Sequence, residues 1–129
     1  MARTAPAVPK EQRTVYRMLR AAAETWGQRP ALHQPAGKGQ YRTWTWREYL
    51  HTAEKAAAAL RAAGIRKGDI VGLASETRAE FYVADLGIMS AGAVAAAVYT
   101  SLPAAEQVRT LKACQPKVVF VENPKALRA

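Results

Sequence analysis

From Ile70 to Val121 the chain repeats one design, in which short apolar runs alternate with segments of helix length. Ile70–Ala74, Ala93–Val98 and Lys117–Val121 read as strands bounded by turn residues. Arg78–Ala91 reads as a helix apolar at Phe81, Ala84, Ile88 and Ala91, with Gly87 for close helix packing and Gly92 as its stop. Pro103–Gln115 reads as a second helix with Ala104, Val108 and Leu111 facing in, stopped by Pro116. Two strand–helix–strand units with short turns imply crossover connections and a parallel sheet. Runs apolar on both sides imply helices on both faces. The expected fold class is therefore α/β, a small, mainly parallel sheet flanked by helices. At least one sheet edge should lack a neighbour, and another helix is expected after Val121.

The first half follows a different pattern. Residues 1–13, with Pro6, Pro9 and mixed charge, are expected to form a loose arm. The domain proper is then 14–129. A helix is expected over Thr14–Trp26, with Val15, Met18, Leu19, Ala22 and Trp26 on one face and Gly27 as its stop. Ala31–His33 reads as a short strand, followed by a loop containing Pro35, Gly37 and Gly39; Tyr41–Trp44 reads as another strand. Thr45 and Glu48 have the spacing of a capping box opening a helix that runs to about Ala63. Its inner face would be Leu50, Ala53, Ala57 and Leu60, and Gly64 suits the left-handed stop. Lys67-Gly68-Asp69 is a turn. Trp44 and Trp46 flank the box and should staple the helix entry.

Composition limits the core. The chain has 28 alanines but only 24 Leu, Ile, Val and Phe among its 129 residues, so its apolar faces are thin and its helices can pack closely. The net charge of +9 lies entirely in residues 1–68, while residues 69–129 balance six basic against six acidic residues. The basic residues are spaced along helices, and neither RNA-binding nor zinc-finger patterns occur, so a solvated basic face is expected rather than a nucleic-acid partner. The uncharged stretch Leu86–Ala105 is long enough for a bilayer but is dominated by Ala, Gly and hydroxyl residues, which insert weakly. No secretory leader pattern is visible in residues 1–13, and a cytoplasmic location is expected.

Few residues offer chemistry. One cysteine, Cys114, allows no internal disulfide, and its setting predicts a buried small hydrophobe. His33 and His51 are too scattered for a metal site, and His51 has no triad-like partner. A ligand in such a sheet would sit beyond the carboxyl ends of the strands. The loops there are Ser75-Glu76-Thr77-Arg78 and Tyr99-Thr100-Ser101-Leu102. Ser75, Thr77 and Ser101 are expected to act as helix caps rather than as anion ligands. Neither G-x-G-x-x-G nor G-x-x-x-x-G-K occurs.

Several segments together resemble a known family. Tyr41-Arg42-Thr43-Trp44-Thr45-Trp46-Arg47-Glu48 is similar to the W-R-T-W-T-W-x-E entry of bacterial long-chain acyl-CoA synthetases, members of the adenylate-forming ligase superfamily. Gly64-Ile65-Arg66-Lys67-Gly68-Asp69-Ile70-Val71 resembles that superfamily's G-V-x-x-G-D-x-V. Ser75-Glu76-Thr77-Arg78-Ala79-Glu80-Phe81 resembles S-E-N-R-P-E-W, with Thr77, Ala79 and Phe81 departing from it. Gly87–Val94 resembles G-I-x-x-A-G-A-V, and Tyr99–Val108 the Y-P-T-S-P-A-E-Q-V of long-chain members. Val118–Glu122 resembles the strand that follows. The likeness covers about residues 14–125.

The resemblance implies an incomplete N-terminal subdomain of the adenylate-forming fold. Such enzymes activate a fatty acid with ATP and Mg2+ to an acyl-adenylate, then pass the acyl group to coenzyme A. Their chemistry sits on a Ser/Thr/Gly-rich phosphate loop ending in Pro-Lys-Gly and on later motifs. None occurs here: Pro-Lys stands at 9–10, 116–117 and 124–125, never before Gly. The chain is accordingly expected to be truncated before the phosphate loop, with no catalytic, cofactor-binding or metal residue of its own and no cofactor held alone. Its expected partners are the remainder of the synthetase or a second copy. A complementing module of a split synthetase is the alternative reading, and a basic nucleic-acid-binding domain a further one.

Overall fold

A computed structural model describes residues 8–129. The arm expected over 1–13 therefore lies partly outside the described residues; within it, Lys10–Gln12 form one 3-10 turn. The first long helix, α1, spans Val15–Trp26, and the Thr14 side chain accepts the Arg17 N–H at 3.1 Å as its cap. Its buried residues are Leu19, Ala21, Ala22 and Ala23, whereas Val15 and Met18 are about half exposed. The expected face is thus rotated. Three successive alanines let the middle of α1 lie close on its neighbours, while its first turn overhangs.

Strands β1 (Pro30–Gly37) and β2 (Gln40–Thr45) form an antiparallel hairpin. The strand expected over Ala31–His33 is longer, and Pro35 belongs to it rather than to a loop. Proline is tolerated because a two-stranded ribbon leaves one side of each strand free of hydrogen bonds. The turn residues Lys38 and Gly39 both have positive φ, 52° and 71°, as a tight two-residue hairpin turn requires. Leu32 pairs with Trp44, and both side chains join the core.

Helix α2 spans Trp46–Ala62 and opens with the complete capping box: Thr45 N–H donates to Glu48 Oε2 at 2.8 Å, and Glu48 N–H to Thr45 Oγ1 at 3.1 Å. Trp44, just before the cap, and Tyr49, one turn in, share one buried cluster, which is the staple. Tyr49, Ala53, Ala57 and Leu60 are buried, and Leu50 is only partly so. Gly64 follows with φ +92°.

The remaining elements are β3 (Ile70–Ala74), α3 (Ala79–Ser90), β4 (Val94–Ala97), α4 (Ala104–Cys114), β5 (Val118–Val121) and α5 (Pro124–Arg128). The three strands are parallel in the order β4-β3-β5, so both outer strands are edges. Successive residues of β3 report its two faces. Val71 is fully buried in the cluster that contains Ile88 of α3 and Ala57 of α2. A Cβ on Gly72 would lie 2.8 Å from Leu111 of α4. Helices therefore cover both faces, as the two crossovers demand.

The cover is unequal. α3 lies between α2 and the sheet and buries Ala79, Val83, Leu86, Gly87 and Ile88 rather than the stripe at Phe81 and Ala84. A Cβ on Gly87 would meet Ala56 of α2 at 2.7 Å, which is the close packing that glycine permits. α4 buries no residue: Leu111 is only partly covered, and Val108, expected to face in, is 46% exposed. Among the described residues no helix is long and apolar enough to cross a membrane.

Candidate functional site

The carboxyl ends of β3, β4 and β5 lead into the loops Ser75–Arg78, Val98–Pro103 and Glu122–Asn123. An ion-pair network joins the first and third. Arg78 Nε donates to Glu80 Oε2 at 2.8 Å, and its Nη1 donates to Glu122 Oε1 at 3.2 Å. The Glu76 N–H donates to the other Glu122 oxygen at 3.3 Å. The hydrogen bond from Arg78 holds the Glu80 carboxyl below its usual range, and the same bond raises the Arg78 guanidinium.

This network changes the reading of the loop. The first α3 amide, Ala79 N–H, donates to Gln34 Oε1 of β1 at 2.7 Å. The Arg78 charge is matched by two carboxylates. An incoming anion would find both already engaged. The expected caps are also corrected: α3 follows Arg78 and α4 follows Pro103, neither with a side-chain cap. Ser75 Oγ donates to the Glu76 carbonyl at 3.0 Å instead. The loop after β4 is held from α4, where Gln107 Nε2 donates to the carbonyls of Leu102 at 2.8 Å and Thr100 at 3.3 Å. Gln34, Gln107 and Glu122 carry this architecture; Gln107 and Glu122 lie in segments of the family likeness, with nothing there to show their bonds, while Gln34 acts across 45 residues and no local pattern marks it.

Two concavities flank the strand ends. A cleft of about 180 Å3 beneath Arg78 and Glu122 has a floor of Leu73, Phe81, Ala84 and Phe120. On the opposite face, a groove of about 650 Å3 runs between α4 and α5 over Val119 and Val121.

The other singled-out residues are dispersed. His33 Nδ1 lies 3.0 Å from Thr43 Oγ1 on the exposed side of the hairpin, and His51 is exposed on α2. Cys114 is free and only half-buried, not a core residue, because the α4 face it ends is open. Among the described residues no three His, Cys, Asp or Glu side chains converge. The tryptophans are packed rather than open: Trp46 lies 5.7 Å from Trp26 and 6.3 Å from Tyr49, and Arg42 sits 4.0 Å over the Trp44 ring. The indole N–H of buried Trp44 has no protein acceptor. Burial pushes the Tyr49 phenol up to about 12, with the Asp85 charge adding to it.

The description of AMP-binding enzymes matches residues 19–129. The chain belongs to the AMP-binding enzyme family. It is 38% identical over 93 residues to the uncharacterized protein Rv1549 of Mycobacterium tuberculosis, covering 72% of this chain and 51% of that protein. It is 36% identical over 110 residues to 4-coumarate–CoA ligase-like 9 of Oryza sativa, covering 85% of this chain and 20% of that one. A long-chain-fatty-acid–CoA ligase of Rattus norvegicus is 29% identical over 115 residues, covering 89% of this chain and 17% of the ligase. Among solved structures, the anthranilate CoA ligase AuaEII in complex with anthranoyl-AMP superposes with a TM-score of 0.78 at 27% identity, covering 92% of this chain and 22% of that one. This member of the family thus has the fold of the N-terminal part of adenylate-forming enzymes. It spans about half the length of the mycobacterial relative and about a fifth of the named ligases.

Proposed function

We propose that the chain forms the N-terminal part of an acyl-activating ligase of the long-chain fatty-acid–CoA type. In that reaction ATP, with Mg2+, converts a carboxylic acid to an acyl-adenylate, and coenzyme A then takes the acyl group. One observation carries this reading: the family match runs over residues 19–129 while the same stretch keeps the fold of a ligase that handles an acyl-adenylate. The Tyr99–Val108 segment, similar to that of long-chain members, supports the choice of acid over the coumarate and anthranilate classes. In this reading residues 8–129 supply scaffold. Their strand-end loops are closed by their own ion pairs and offer no phosphate cradle.

The test is fatty-acid-dependent exchange of pyrophosphate into ATP. The purified chain is expected to show none above a heat-killed control, because no group that stabilises charge on a triphosphate is in place. Exchange should appear when the chain is supplied together with a polypeptide carrying the rest of a ligase domain. Exchange by the chain alone would overturn the reading. So would a complemented enzyme that used only aromatic acids, as regards the acid class.

A further inference from the structure

The amino ends of the strands, at the opposite end of the sheet from the ion-pair network, carry a hollow of another character. It has a volume of about 370 Å3 and lies where α2 and α3 end and the chain turns into β3. Among the described residues three cations line it, Arg61, Arg66 and Lys67, and no carboxylate does. The rest of its lining is Gly64 and the buried Ile65 and Ala91. All three cations fall within seven consecutive positions, 61–67, that hold no acidic residue.

Little in the protein neutralises these charges. Among the described residues, Arg66 and Lys67 have neither an ion pair nor a side-chain hydrogen bond. Arg61 Nη2 donates to the Ser90 carbonyl at 2.6 Å, which holds the guanidinium in place without cancelling its charge. A Cβ on Gly92 would lie 3.7 Å from Lys67 Cα, Cβ and Cγ, so the Lys67 stem rests against that turn. Two carboxylates stand nearby, both engaged elsewhere. Asp69 accepts the Arg66 N–H at 2.7 Å and lies 2.9 Å from Lys117 Nζ. Glu54, which shares a neighbouring hollow with Arg61, accepts the Tyr16 hydroxyl at 2.7 Å. Helix-end carbonyls would repel an anion, but here backbone amides take them up: those of Ala63, Gly64 and Ile65 close α2, and those of Ala91, Gly92 and Ala93 close α3.

We propose that Arg61, Arg66 and Lys67 bind a doubly charged phosphate group, carried by a soluble compound or by a lipid headgroup. A planar guanidinium meets two phosphate oxygens at once, and the lysine adds a point charge beside the two arginines. Three cations without a counter-charge in the lining favour a dianion over a carboxylate or a halide. The hollow also lies in the half of the chain that holds the whole net charge of +9. The site is distinct from the strand-end loops, where Arg78 is already matched by Glu80 and Glu122. It does not depend on the ligase reading.

The probes are inorganic phosphate and vesicles of phosphatidic acid in phosphatidylcholine, with chloride at equal ionic strength as the reference. In an amide NMR titration of the full chain, phosphate should shift the resonances of Gly64, Ile65, Arg66 and Lys67 saturably, and chloride should not. Arg66→Glu and Lys67→Glu should each weaken binding by about tenfold. Both side chains are exposed, so neither change threatens the fold. Arg66→Lys should keep more of the binding than Arg66→Glu. Arg109→Glu alters the net charge equally but lies on α4, outside the hollow, and should leave binding unchanged.

Saturation by phosphate without sedimentation on the vesicles would bear the site out with a soluble phosphate compound as its ligand. Sedimentation on the phosphatidic-acid vesicles that Arg66→Glu abolishes would bear it out with a headgroup. Shifts that chloride reproduces, no binding to either probe, or equal losses from Arg109→Glu and Arg66→Glu would overturn the proposal and leave a solvated basic surface.

Discussion

Asp85 shows how much a single residue owes to its setting. It is a half-buried carboxylate on α3 with neither ion pair nor hydrogen bond, and burial pushes its pKa up. A folded-state pKa above the unfolded value stabilises the fold below the unfolded pKa, and that contribution is lost as pH rises through the folded pKa. Charged Asp85 therefore works against the fold at neutral pH. Asp85→Asn is expected to raise the melting temperature at pH 7, with the gain vanishing as the pH falls below the ordinary carboxylate range. An equal gain at both ends would contradict it. Asp69 behaves in the opposite sense: the Arg66 N–H and Lys117 hold its carboxyl low, so its contribution is present above the unfolded pKa and fades on acidification. At this scale the sequence was legible where partners are close. Thr45 and Glu48 stand three residues apart, and their reciprocal bonds are those their spacing predicts. The bond from Ala79 to Gln34 spans 45 positions, and no motif announces it.

Between elements, two glycines mark the closest approaches, and they differ in how far their surroundings can yield. A Cβ at Gly87 would meet Ala56 Cβ at 2.7 Å and the Ala53 carbonyl oxygen at 3.2 Å, both rigidly tied to the α2 backbone. A Cβ at Gly72 would meet the ends of Leu111 and Val119 at 2.8 and 3.1 Å. Those side chains border the open groove and can move into it. Gly87→Ala should therefore cost about 1–3 kcal/mol in urea unfolding, and Gly72→Ala clearly less. The reverse order would mean that the groove face is as tightly packed as the α2–α3 face. Helix positions were readable because their periodicity is local. Helix faces were less so. An alanine-rich helix presents several stripes of nearly equal apolarity, and only its neighbours decide between the Phe81 and Val83 sides of α3.

Over the whole molecule, stability should follow the unequal cover. The fully buried positions Val71, Ile88 and Ala53 all belong to the side built from α2, α3 and β3. β4 is an edge whose Val94 is 52% exposed, and neither α4 nor α5 buries a residue. Hydrogen exchange is expected to show β3, α2 and the middle of α3 opening only with global unfolding, while α4, α5 and β4 open by smaller fluctuations. Uniform protection across all of these would contradict that division. The family assignment belongs to this scale as well, because individually weak segments combine over residues 19–129 into one match.

The sequence alone determined the element order, the crossover design, the turns and the capping box. All depend on residues within a few positions of one another, where sterics and local hydrogen bonds act without help. It also carried the family likeness, which is a pattern along the chain. Only the tertiary structure decided the hairpin pairing of β1 with β2, the sheet order β4-β3-β5 and the side that each helix buries. It alone tied Arg78 to Glu122 across 44 positions and left the α4 face open. Those outcomes depend on which distant surfaces meet, and in a chain with so many alanines local hydrophobicity leaves more than one such meeting available.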